Sequence, residues 1–176
     1  MKHPIAAIAF SVMAAATGAL ASAPQPKKPF ALDRMPGHWY EIARTPNQIN
    51  QNCQASSTDW VAAGDSKFKI TATCRKGAPD GPAQVVHGDV SITDAASHAK
   101  VRMSLFGGLI SRDYWLLDHA DDYSWLIMGT PSGNFISIMA ARPALTANET
   151  ARALSDVRSM GYDVTRLVFP VQPATD

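Results

Sequence analysis

From His38 to Arg142 the chain never runs far without a turn signal, and between the signals it alternates in short, β-prone runs. The runs are His38–Thr45, Gln54–Val61, Lys67–Arg75, Gln84–Thr93, Lys100–Leu105, Asp113–Asp118, Tyr123–Gly129 and Asn134–Arg142. Each is the length of a strand and shorter than most helices, and Val, Ile, Thr and aromatic residues recur in them. The breaks carry Ala63-Gly64-Asp65, Pro79-Asp80-Gly81-Pro82, Asp94-Ala95-Ala96-Ser97, Ala120-Asp121-Asp122 and Pro131-Ser132-Gly133. Gly supplies positive φ in such turns, Pro presets φ, and Asp accepts from nearby backbone amides. Consecutive strands joined by short turns are antiparallel neighbours. An all-β, eight-stranded antiparallel up-and-down barrel follows, because closing the sheet removes its exposed edges. A two-sheet sandwich is the competing architecture.

The texture changes after Arg142. Thr146-Ala147-Asn148-Glu149 is a capping box, with Thr accepting from the N3 amide and Glu reaching back to the cap. Ala147, Ala151, Leu154 and Val157 follow at helical spacing and predict an apolar stripe facing the barrel, with Gly161 as terminator. Tyr162 to Phe169 then reads as a final short strand. One C-terminal helix on a barrel is a specific order of elements.

At the other end, Lys2 and His3 precede an apolar run from Ile5 to Ala16 and a stretch of small residues, which reads as an export signal. Cleavage is expected after Ala19-Leu20-Ala21, since a cut after Ala23 would place Pro24 at the scissile bond. The run is shorter than the roughly 20 apolar residues of a spanning helix. No Cys stands near the cleavage region to accept a lipid anchor. The expected organisation is a signal over 1–21, a proline-rich leader over 22–32, the barrel domain over 33–172 and a tail over 173–176. The mature chain is expected to be soluble and exported, to the periplasm or beyond.

Removal of the signal takes Lys2 with it and leaves 15 basic against 15 acidic residues. That balance, with no basic run, argues against a nucleic-acid partner. Cys53 and Cys74 lie almost symmetrically about Ala63-Gly64, so folding that hairpin sets them nearly opposite. In an exported chain a disulfide is favoured over a catalytic thiol, and neither Cys sits in a CxxC pair.

Three ordered segments resemble the lipocalins, particularly the bacterial outer-membrane type related to apolipoprotein D. They are Gly37-His38-Trp39-Tyr40-Glu41-Ile42-Ala43-Arg44, the Tyr114 to Tyr123 segment with Asp122 before Tyr123, and Ala141-Arg142-Pro143. The helix and the closing Gly161-Tyr162-Asp163 and Leu167-Val168-Phe169 segments look like the same branch. The resemblance spans about Phe30 to Gln172, nearly the whole mature chain. It implies a ligand-holding barrel whose closed floor is built from Gly37, Trp39, Asp122, Tyr123 and Arg142. It implies further that the Arg142 guanidinium lies over the Trp39 indole as a cation–π contact.

Alternation from Trp39 and Arg142 gives a predicted cavity lining: Glu41, Ala43, Ile136, Ile138 and Ala140. Such a wall suits a small hydrophobic ligand, a fatty acid, lysophospholipid or similar lipid, held by area burial. Glu41 is either a polar handle for a head group or a carboxylate satisfied by neighbouring hydroxyls. Phe106-Gly107-Gly108-Leu109-Ile110 is expected at the barrel mouth, with Phe106 and Leu109 touching ligand or, transiently, membrane. Enzyme signatures of the G-x-S-x-G, Walker A, H-E-x-x-H and G-x-G-x-x-G kinds do not occur. Asp118, His119, Asp121 and Asp122 read as a hairpin cap before a metal site, and no cofactor is expected. Two readings from other classes stay open: an enzyme with Cys53 or Cys74 as nucleophile, and a binder of a pigment or tetrapyrrole.

Overall fold

A computed structural model describes residues 22–48 and 50–173; the expected export signal lies outside the described residues. Eight strands close into one antiparallel barrel in chain order. They are β1 (Gly37–Arg44), β2 (Cys53–Ala62), β3 (Lys67–Lys76), β4 (Ala83–Ile92), β5 (Lys100–Leu105), β6 (Ile110–His119), β7 (Trp125–Gly129) and β8 (Ile136–Ala140). The barrel closes where Glu41 of β1 pairs with Met139 of β8. A helix, α1 (Ala147–Ser159), follows. The expected final strand contracts to a single bridge between Arg44 and Val168, next to a 3-10 turn at Val164–Arg166.

Because successive strands run in opposite directions, the turns fall at two ends. The β1–β2, β3–β4, β5–β6 and β7–β8 connections share one end, here the mouth. The other end is closed, and the leader runs down to it from the β7–β8 turn, reaching it at Phe30. Ala23 N donates to Pro131 O (2.9 Å), Lys27 N to Leu117 O (2.9 Å) and Phe30 N to Ser97 O (2.7 Å). Phe30 is buried, and a 3-10 turn at Leu32–Arg34 leads into β1. The leader is therefore a strap bonded to the barrel, not merely an extension before it. Gly37 opens β1 at φ 132, a backbone angle that a side chain would strain.

Two apolar layers result. Inside the barrel, Trp39, Trp60, Phe68, Ile70, Val90, Val101, Leu116, Leu126, Met128 and Met139 pack with Phe30 and Met35. Outside it, Ala43, Leu117, Trp125, Ile127, Ile136, Ile138 and Ala140 pack with Ala153 and Val157 of α1 and with Tyr162 and Leu167. The capping box at Thr146 is formed as expected, but the stripe of α1 is shifted: Ala153 and Val157 are buried, whereas Ala147 and Ala151 are exposed. Full burial of a Val side chain contributes about 1.5–3 kcal/mol, so Val157 is a principal anchor of the helix.

Candidate functional site

The interior floor is a layered aromatic plug. Trp39 is 3% exposed, and its Nε1 donates to Met35 O at 3.0 Å. Tyr123 accepts from Ala31 N at 3.0 Å through its hydroxyl and stacks on His119 at 4.2 Å, with Phe30 edge-on to both rings. Asp122 accepts from Ser124 N (3.0 Å), which holds its carboxyl below the usual range and fixes the β6–β7 turn. Gly37, Trp39, Asp122 and Tyr123 thus stand at the closed end.

Arg142 does not. The two cation–π contacts among the described residues are Arg34 over Tyr123 (5.2 Å) and Lys100 over Trp115 (4.7 Å). Arg142 Nη2 instead donates to Glu149, the N3 residue of the α1 capping box. The reason is geometric: β8 ends at Ala140 and the chain bends through Ala141–Pro143, so the side chain leaves the ladder for the helix.

The same bend, and a bulge in β1, correct the predicted lining. Glu41 pairs with Met139 and Ala43 with Ile138, leaving Ile42 without a partner. One extra residue reverses the alternation. Trp39 and Glu41 face inward, whereas Ala43 faces outward with Ile136, Ile138 and Ala140, beneath α1. The inward residues of β8 are Ser137 and Met139. Phase counted back from Arg142 misled because Arg142 stands outside the strand.

Glu41 is 9% exposed and fully engaged. Arg44 Nη1 donates to its Oε2 at 2.8 Å, Ser137 Oγ donates to Oε1 at 3.0 Å, and Ser56 Oγ donates to Oε2. Arg44, 3% exposed, also donates to Asn50 O (3.0 Å) and Cys53 O (2.7 Å). The β1–β2 ladder ends at Tyr40 and Ser57. Beyond that point the ion pair, and the Gln172 amide bonded to Glu41 O (2.7 Å) and Ser56 O (3.2 Å), stitch the seam. Glu41 is a satisfied structural carboxylate; its capacity is used within the wall.

Above the floor the inner face is less buried. Val86, Met103, Leu105 and Tyr114 face inward by register yet are only half-buried, as are Thr58 and Ala72. Val86 stands past the end of the β4–β5 ladder at Gly88 and Leu105, toward the mouth. Alternation in β5 and β6, counted from Val101 and Leu116, would have found Met103, Leu105 and Tyr114. The predicted β6 began at Asp113, three residues late, and so left out Arg112. Phe106 and Leu109 lie on the β5–β6 connection, 55% and 87% exposed, so they form the rim and do not plug the cavity. Two clefts of about 280 and 270 Å³ lie along the C-terminal segment, one lined by His38, Tyr40, Thr73, Arg75 and Gln172, the other by Pro46, Pro79, Phe169 and Val171.

Cys53 and Cys74 are joined (Cα–Cα 5.2 Å), so neither is the free thiol that a cysteine-nucleophile reading requires. The acidic residues near His119 take separate partners. Lys27 pairs with Asp118 (3.1 Å) and Lys28 with Asp121 (2.8 Å), while the His119 ring nitrogens face Ala120 O and Pro29 O. No helix among the described residues is long and apolar enough to cross a membrane.

A closed eight-stranded barrel with an aromatic floor, a less buried upper inner face and one helix on its flank has the architecture of a small container domain. The chain belongs to the lipocalin-like domain family, whose sequence pattern it matches over residues 30–172. Among curated proteins none matches the sequence. Solved structures share the fold: insecticyanin of the tobacco hornworm Manduca sexta (19% identity, 88% of this chain and 92% of that one, TM-score 0.67); lobster apocrustacyanin A1 (16%, 88% and 93%, 0.65); and the amine-binding protein of Rhodnius prolixus in its tryptamine complex (13%, 85% and 85%, 0.62).

Proposed function

We propose that this lipocalin is an exported carrier that holds a small hydrophobic ligand of the acyl-chain kind between the Trp39 floor and the mouth. The observation behind the reading is the gradient along the interior: buried Trp39, Ile70, Val90 and Leu116 below, half-buried Val86, Met103, Leu105 and Tyr114 above. An elongated apolar chain removes that upper surface from water at about 25 cal/mol per Å². Residues 1–21 act as the export signal in this reading. The Cys53–Cys74 disulfide supports it, since such bonds persist in oxidising compartments. The exposed Phe106, Leu109 and Ile110 rim brings the mouth against a lipid surface during loading. No step makes or breaks a covalent bond.

Native mass spectrometry of the exported protein, with solvent extraction of what co-purifies, tests the reading. An apolar adduct of fatty-acid or lysolipid mass is expected, and the emptied protein should enhance the fluorescence of the uncharged probe N-phenylnaphthylamine. A bare chain that leaves the probe dark would overturn it.

A further inference from the structure

Charge is also carried on the inner face near the mouth. Glu41 and Arg44 neutralise one another at the β1–β2 seam. A third charged residue faces inward on β6. Register pairs Leu105 with Ile110, Met103 with Arg112 and Val101 with Tyr114, and antiparallel partners share a face. Val101 is in the interior core, and Met103, Leu105 and Tyr114 pack against it. The opposite face of the same pair of strands carries the Arg102–Asp113 ion pair (2.8 Å), which confirms the parity. Arg112 therefore stands on the inner face, one step above Tyr114 toward the mouth, where it is exposed.

Beyond the backbone ladder, the Arg112 side chain makes no hydrogen bond or ion pair among the described residues. Tyr114, two residues below it, lies edge-on to Phe135 at 6.3 Å. Burial pushes the Tyr114 phenol above its ordinary value; Arg112 acts in the opposite sense and Glu41 adds to the rise, so the hydroxyl senses both. It stays protonated near neutral pH and has a proton to donate. A guanidinium fork and a phenol spaced i, i+2 on one wall suit a single anionic group. Lys76, exposed at the mouth end of β3, has the same sign.

We propose that Arg112 and Tyr114 form the head-group site of the cavity, taking the carboxylate of an amphiphile whose tail runs down toward Met139 and Trp39. This rests on the acyl-chain carrier reading and narrows it to monoanionic ligands, held tail-down with the charge near the mouth. At the floor the Trp39 Nε1 donor is already engaged by Met35 O. The opposite orientation would leave the anion desolvated and unpaired.

Displacement of N-phenylnaphthylamine from the intact protein by hexadecanoate, hexadecan-1-ol and hexadecylamine separates the two claims. Hexadecanoate should displace the probe about 10- to 100-fold more tightly than the alcohol at low salt, and the amine should be weakest. Arg112→Gln should bring the acid down to the alcohol's level while leaving the alcohol unchanged, and Arg112→Lys should restore part of the preference. Tyr114→Phe should reduce it by a smaller factor. Equal affinity of acid and alcohol in the parent protein, or an unchanged ratio in Arg112→Gln, would overturn the head-group site and leave the carrier intact. Failure of all three amphiphiles to displace the probe would overturn both. The alcohol serves as the folding control, since a misfolded variant would lose it too.

Discussion

The Arg44 guanidinium lies 2.8 Å from the Glu41 carboxylate across the bulge at Ile42, and both side chains are buried. Three donors meet at that carboxylate, so Glu41→Gln should leave Arg44 uncompensated in the wall. Breaking one partner of such a pair costs about 3–5 kcal/mol. Urea unfolding should show that loss for Glu41→Gln and for Arg44→Met, with the double variant well short of the sum. Additive losses would mean that the two residues act separately.

Outward placement of Ile138 and inward placement of Met139 separate stability from binding. Ile138→Ala should cost about 2–5 kcal/mol by opening a cavity under α1, yet leave probe affinity unchanged. Met139→Ala should alter probe affinity as well as stability. Equal effects of both on binding would contradict the assigned faces.

Glu149 is the acid end of the helix anchor. The Arg142 guanidinium and the Thr146 hydroxyl and amide hold its carboxyl at about 2, against its usual 4.5. A depressed carboxyl stabilises the fold fully above about pH 4.5 and loses that contribution as pH falls toward 2. Arg142→Ala should lower Tm at neutral pH and flatten the acid limb of the Tm profile over that interval. Thr146→Ala should cost about 1 kcal/mol through the lost cap. An acid limb identical to the parent's in Arg142→Ala would sink this pairing.

Gly88 faces the interior between β3 and β5. A Cβ there would meet Leu105 Cδ2 and Ser104 O, both at 2.6 Å, and Ile70 Cγ1 at 3.3 Å. One contact is backbone, so a rotamer change cannot relieve it. Gly88→Ala should destabilise by about 1–3 kcal/mol and reduce ligand capacity by displacing Leu105. Calorimetry and probe titration would read the two effects.

Reduction opens the remaining constraint. Cys53 and Cys74 close a loop of 21 residues, and Cys53 O is also an acceptor for buried Arg44. Removal of the bridge by paired Ser substitution should cost about 3 kcal/mol. Faster amide exchange is expected along the 45–52 connection, and uniform exchange across the barrel would argue against a local clasp.

Much of this protein was fixed by local chemistry and could be read from the chain. Turn residues at Ala63-Gly64-Asp65 and Pro131-Ser132-Gly133, the capping box at Thr146 and Glu149, and cysteines symmetric about one hairpin act over a few neighbours. They specify eight strands, one helix and one disulfide almost regardless of what packs around them. The two faces of each strand were a different matter. Alternation has a period of two, so a single unpaired residue at Ile42 reverses it, and that bulge exists only because β8 lies across the seam. Arg142 likewise belongs to α1 because the chain bends after Ala140. Arg112 comes to the inner face only when β5 sets the register of β6. The sequence by itself determined the strands, the helix and the closed floor at Trp39. Tertiary pairing decided which side chains look into the cavity, since facing is a relation between strands and no single strand contains it.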